Sequence, residues 1–253
     1  MCVVMSGGCM IGEDPVDDAK SGDNLADEPT TDGDDGGDPP DTLRARVCAT
    51  GATTRGIDVS KWQDTINWPK VKTTGIEFAF VRVSDGNNTL DGKFAANWAG
   101  AKSAGVIRGA YQFFRPSQNV AAQAQKMIAA IGTYQIGDLP PVMDAEDDGG
   151  LSPATVAARI KQWVDLVEAG TGIRPIVYTG KYFWRDEVGG PSFAPSSLWI
   201  AQYTSLCPDI PAPWTKWTFW QHTDHGTVSG ISGPVDLNRY NGTLAELRTY
   251  VGL

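Results

Sequence analysis

The sequence predicts an α/β fold: a TIM-like barrel of eight mainly parallel strands, with five β/α units followed by three strands on loop connections. Three observations carry that prediction. Short β-rich runs bounded by turn residues recur eight times from Arg55 onward, and helical patterns separate the early ones. Alternation of this kind builds a parallel sheet, and eight such strands argue for its closure. The third is length, since a single barrel needs about 200 residues or more and residues 48–253 supply them.

The expected strands are "GIDVS" (56–60), "EFAFVRVS" (77–84), "IRGAYQFF" (107–114), "PPVMDAE" (140–146), "PIVYTG" (175–180), "SLWIAQY" (197–203), "WTFWQHT" (217–223) and "VDLNRY" (235–240). A short helix is expected between Trp68 and Thr74. The next pattern spaces Phe94, Trp98 and Ala101 along one face and stops at Gly105, which tolerates a left-handed cap. A third starts at Ser117 as N-cap, carries Val120, Ala124, Met127 and Ile131, and ends at Gly132. The fourth opens on Ser152-Pro153, runs through Val156, Ile160, Trp163 and Val167, and closes at Gly170. A fifth is expected near Lys181 to Val188. Beyond Leu198 the gaps between strands are too short or too Pro-rich for long helices.

The chain before the barrel is different in kind. Between Glu13 and Asp41 lie twelve acidic residues and a single lysine, Lys20, with almost no large apolar side chain. Such a segment cannot bury enough surface to order itself, so 13–47 reads as an acidic disordered linker. Without that acidic stretch the chain holds 18 acidic and 20 basic residues, near +2, against a formal −9 for the whole. The acidity belongs to the linker and says nothing about a polyanionic partner of the barrel. Residues 1–12 contain no basic leader and no apolar run long enough to span a membrane. "SGGC" ahead of the acidic stretch is similar to a bacterial lipoprotein junction, which makes Cys9 a candidate lipid-attachment residue if translation starts upstream. An exported protein, secreted or at the cell surface, is the expectation. Export would also favour a disulfide between Cys48 and Cys207, although two cysteines alone do not establish one.

The chemistry concentrates in "PPVMDAEDDGG" (140–150). Residues two apart on a strand point to one side, so Val142, Asp144 and Glu146 share a face and Met143 and Ala145 the other. In a parallel barrel the pocket lies at the C-terminal ends of the strands, where this pair falls. Two carboxylates held close resist joint ionisation, which keeps one protonated near neutral pH. Glycoside hydrolysis uses that division of one acid and one anion. A solvated loop or a helix cap is the plainer alternative. Asp58 and Asp236 stand on the first and last strands, neighbours in a closed barrel, and so join the same mouth. Tyr111, Tyr178, Trp199, Tyr203 and Trp220 fall on strands, and aromatic planes suit the apolar faces of sugar rings as well as a core. The only histidines, His222 and His225, offer little to a metal site or a histidine-based triad, so neither metal nor cofactor is expected.

"GIDVSKWQ", "FAFVRVSDG", "GAYQFFRP", "PPVMDAED", "IVYTG", "LWIAQY", "FWQHTDHGTVSGI" and "VDLNRYNG" occur in the order of glycoside hydrolase family 25 lysozymes, the Chalaropsis-type muramidases, and the chain resembles them from Arg55 to Leu253. The resemblance implies a barrel of five β/α units and three further strands. It implies cleavage of the β-1,4 bond between N-acetylmuramic acid and N-acetylglucosamine of peptidoglycan, with retention. Glu146 would be the general acid/base and Asp144 the nucleophile or the anion that orients the substrate acetamido group. Asp58 and Asp236 would support them, and Tyr111, Tyr178, Tyr203 and Trp220 would bind substrate. Gln112 and His222 depart from residues frequent in the family. Glycan strands are the expected partner of a monomer, with no nucleic acid and no transmembrane segment. A chitinase-like hydrolase and a catalytically silent wall-binding protein are the competing readings.

Overall fold

The computed structural model describes residues 46–189 and 196–253. Segment 1–12, Cys9 and nearly all of the acidic linker lie outside the described residues. Among the described residues nine strands form one sheet: β1 (Thr54–Val59), β2 (Phe78–Asp85), β3 (Thr89–Leu90), β4 (Ile107–Phe113), β5 (Val142–Asp144), β6 (Ile176–Gly180), β7 (Leu198–Ala201), β8 (Phe219–Gly226) and β9 (Val235–Tyr240). β1 pairs with both β2 and β9, which closes eight strands into a barrel and leaves β3 as a short hairpin extension of β2. Every barrel pairing is parallel except those of β9, which runs antiparallel to β1 and β8. The predicted eight-stranded, mainly parallel barrel is therefore present.

Five helical segments lie where the sequence expects them: α1 (Trp68–Thr73), α2 (Phe94–Ser103), α3 (Val120–Ile131), α4 (Pro153–Thr171) and α5 (Lys181–Phe183), which runs on as a π turn over Trp184–Val188. Two caps differ. Asn119, not Ser117, caps α3, because its side chain accepts the amide of Ala122. α4 runs one residue past Gly170 and ends against Gly172 in the left-handed conformation. Gly170 instead serves packing: a Cβ there would stand 2.5 Å from Ile128 Cδ1, so the bare glycine lets α4 approach α3. A sixth helix, α6 (Leu244–Tyr250), follows the last strand and opens on a capping box between Thr243 and Glu246.

Period-two alternation sorts the barrel residues. Phe78, Phe80, Val142, Ile176, Trp199 and Phe219 point inward and fill the lower barrel, with Phe80 stacked on Trp199 at 4.2 Å and Phe78 edge-on to Phe219 at 5.2 Å. Gly56 makes room for this cluster, since a Cβ there would sit 2.3 Å from Phe78 Cζ. α6 seals the floor: Leu247 and Val251 are buried in the same cluster, and Tyr250 packs on Phe219 and Tyr240. Outward residues such as Met143, Val177 and Ile200 pack instead with Val156, Ile160 and Trp163 of α4.

The start of the described chain is fastened to a late loop. Cys48 and Cys207, 159 residues apart, are joined by a disulfide. Val47 donates to Pro208 O and accepts from Trp217 Nε1, and Arg46 pairs with Asp209, itself in a 2.7 Å ion pair with Lys181. Arg46 and Val47 fall on the linker side of the sequence boundary, yet they already belong to the folded body. A cross-link closing so long a loop contributes on the order of 2–4 kcal/mol when unstrained.

Candidate active site

The upper end of the barrel opens into a cleft at the C-terminal ends of the parallel strands. Asp58, Asp144, Glu146 and Asp236 all line it, as do Tyr111, Tyr178 and Tyr203. Strand closure brings the carboxylates together. Asp58 and Asp236 are direct cross-strand partners of β1 and β9, a pairing of like charges that costs free energy if both ionise. Asp144 ends β5, and Glu146 follows it by one pleat.

Hydrogen bonds distinguish the four acids. Asp58 Oδ2 accepts from Asn238 Nδ2 at 2.7 Å and from Gln221 Nε2 at 3.0 Å. Behind these amides, Trp199 Nε1 donates to Asn238 Oδ1, and the hydroxyls of Tyr178 and Tyr203 both donate to Gln221 Oε1. Every donor in this chain points toward Asp58, which stabilises its anion although burial still raises its pKa. A hydrogen bond with Asp236 lowers Asp58 and raises Asp236, so Asp58 is the more readily ionised of the two. Asp236 lies well above the usual carboxylate range, through burial first and then the charges of Asp58 and Asp224.

Asp144 is likewise raised well above its ordinary value by burial, then by Glu146 and Asp58, with Arg82 opposing. Its Oδ1 is shut off from solvent without a hydrogen-bond partner among the described residues. Arg82 also lines the cleft and is held by Asp91, whose Oδ2 accepts from Arg82 Nε at 3.0 Å. Glu146 is pushed up to about 8 by burial and by the charges of Asp58 and Asp236, with Arg115 opposing. It is therefore largely protonated at neutral pH. Arg115 grips Asp85 through two bonds and reaches Asp147, which steadies the chain next to Glu146.

Trp220, expected to bind substrate, is not brought to the cleft. Its neighbours Phe219 and Gln221 take the inward positions of β8, so Trp220 faces outward, donates from Nε1 to Gln202 O and packs on Trp217. Gln112 also faces outward, between Ser84 Oγ and Trp163 Nε1. His222 sits beside Trp220, with burial and then Arg239 and Arg55 depressing its pKa to about 4. Sequence reasoning missed Arg82, Gln221 and Asn238. The signal was present, because Gln221 and Asn238 each lie two residues from an inward-facing residue, Phe219 and Asp236.

The chain matches the family model for glycosyl hydrolases family 25 over residues 57–231. It is 40% identical to protein YegX of Escherichia coli (strain K12) over 79% of this chain and 74% of that one. It is 35% identical to lysozyme M1 of Streptomyces globisporus over 76% of this chain and 69% of that one. The fold superposes on the crystal structure of the bacterial lysozyme from Streptomyces coelicolor with a TM-score of 0.75 at 35% identity, covering 78% of this chain and 96% of that one. With the barrel, the acidic mouth and these matches in agreement, the chain belongs to glycosyl hydrolases family 25.

Proposed function

We propose that this glycoside hydrolase is a muramidase that cleaves the β-1,4 bond between N-acetylmuramic acid and N-acetylglucosamine of peptidoglycan with retention. One observation carries the reading: Glu146 stands one pleat from Asp144 in a cleft that also gathers Asp236 and Asp58, where burial and neighbouring carboxylates push Glu146 up to about 8 while Asp58 accepts from two amides at the end of a one-way chain of donors. A pure binding module has no use for a carboxyl group tuned to about 8. The similarity to lysozymes favours peptidoglycan over chitin.

In this reading Glu146 gives its proton to the leaving glycosidic oxygen as the bond to the anomeric carbon breaks, then takes a proton from the water that replaces it. Asp144, once it has given up its proton, either attacks the anomeric carbon or orients the substrate's 2-acetamido group, whose carbonyl oxygen attacks in its place. We favour the second, because an aspartate two residues before the acid suits it. Trapping a sugar covalently on Asp144 with a fluorinated substrate would overturn that choice. Asp58 and Asp236 set the charge around Glu146, and Tyr111, Tyr178 and Tyr203 shape the sugar site. The disulfide agrees with an oxidising, exported location.

The test is digestion of purified peptidoglycan, with new ends reduced and identified by mass spectrometry, beside Glu146→Gln. Reducing N-acetylmuramic acid ends that disappear in the variant are expected. No cleavage by a folded wild-type chain would favour the binding-protein reading, and new N-acetylglucosamine ends would refute the assigned bond.

A further inference from the structure

Trp62 is an exposed aromatic side chain of the cleft that the muramidase reading leaves unused. It is 44% exposed and lines the same cleft as the four acids, on a 3-10 turn (Lys61–Gln63) directly after β1. A large exposed aromatic on a floppy loop would mean little. This turn is fastened on three sides. Ser60 and Gln63 cap it reciprocally, with Ser60 Oγ accepting from Trp62 N and Gln63 Oε1 from Ser60 N. Lys61 N donates to Asp91 Oδ2 at 2.8 Å, the same buried oxygen that holds Arg82. Gln63 Nε2 reaches Pro234 O, which ties the turn to the loop between β8 and β9. The ring itself carries the Lys61 ammonium over it, 5.0 Å from its centroid.

An indole carried on a turn held this firmly at a cleft rim, with nearly half the residue's surface in water, has the form of a preorganised stacking surface. The ordering cost of the turn that presents it is already met in the free protein. The cleft that it borders is where a glycan strand lies if the muramidase reading holds, and a hexosamine ring presents apolar C–H atoms to such a plane. We propose that Trp62 binds an additional sugar ring of the glycan strand, outside the pair joined by the scissile bond. The inference rests on the muramidase reading for its ligand. Trp62 is a positioning residue here: it holds polymer in the cleft and takes no part in bond cleavage.

The experiment compares the full chain with Trp62→Ala and Trp62→Phe on soluble peptide-free glycan strands and on the shortest oligosaccharide that the wild type cleaves. For Trp62→Ala, KM on long strands should rise about tenfold with kcat retained, the size of one aromatic stacking contact. Trp62→Phe should recover most of that loss, and the shortest substrate should respond least. In a Glu146→Gln background, binding of the same strands should weaken by a similar factor when Trp62 is also replaced by alanine. Unchanged KM and binding on long strands would refute the platform, as would an equal loss on long and short substrates. A wild type that cleaves no glycan would bring down the muramidase reading, and this proposal with it; cleavage indifferent to Trp62→Ala would bring down the platform alone. Thermal melting of Trp62→Ala at the wild-type temperature separates lost binding from lost folding.

Discussion

The floor and the mouth of the barrel are built from the same strands and obey opposite rules. On β5, Val142 faces the apolar interior and Asp144, one pleat higher, faces the cleft; on β8 the same step takes Phe219 to Gln221. The floor buries rings against rings and an extra helix closes it. The mouth collects four carboxylates whose charges oppose one another. Stability is thus gathered in one layer, which lets the layer above hold groups that would disfavour folding if they stood alone.

Glu146→Gln should break the comparison most sharply. Activity should fall by about 10²–10⁴-fold, the usual share of a general acid. The fold should gain, because a carboxyl group raised from 4.5 to about 8 favours the folded state fully only at low pH. That contribution is lost as pH rises from about 4.5 through 8, so the variant should melt higher than wild type at pH 8 and alike at pH 4. Differential scanning calorimetry at the two pH values checks the sign. In the floor, Phe219→Ala should do the reverse, costing about 3–5 kcal/mol of stability by cavity formation. Urea denaturation would show it, while the folded fraction keeps its acid. Replacing Cys48 and Cys207 by serine should cost roughly 2–4 kcal/mol, readable as a lower urea midpoint. The finest change is Asp58→Asn. Asp58 is the first charge, after burial, that raises Glu146, so its removal should lower the Glu146 pKa and move the alkaline limb of the pH–activity profile to lower pH.

The floor was the more legible layer. Eight runs of apolar and β-branched residues announce strands whatever they enclose, and the five helical stripes between them fix the parallel order. That Asp58 and Asp236 share one mouth followed from closure, because closure makes the first and last strands neighbours; that they face each other directly is set by the register of β1 on β9. What stayed hidden depended on side-chain direction. Trp220 looked like a sugar contact until Phe219 beneath it fixed the parity of β8. Gln221 and Asn238 carry no charge, so their two-residue spacing from Phe219 and Asp236 marks them as inward-facing but only their bonds to Asp58 reveal what they do there. α6 was signalled by Thr243 and Glu246, a capping box, but seven residues at the chain end offer little periodicity to read.

The fastening of Arg46, Val47 and Cys48 onto the loop after β7 has a mechanical consequence. Tension applied to the chain ahead of Arg46 would pass through the disulfide into Cys207 and would not peel β1 from β2 and β9. The barrel would be hauled by its outer wall, and the seam between its first and last strands would carry little of the load.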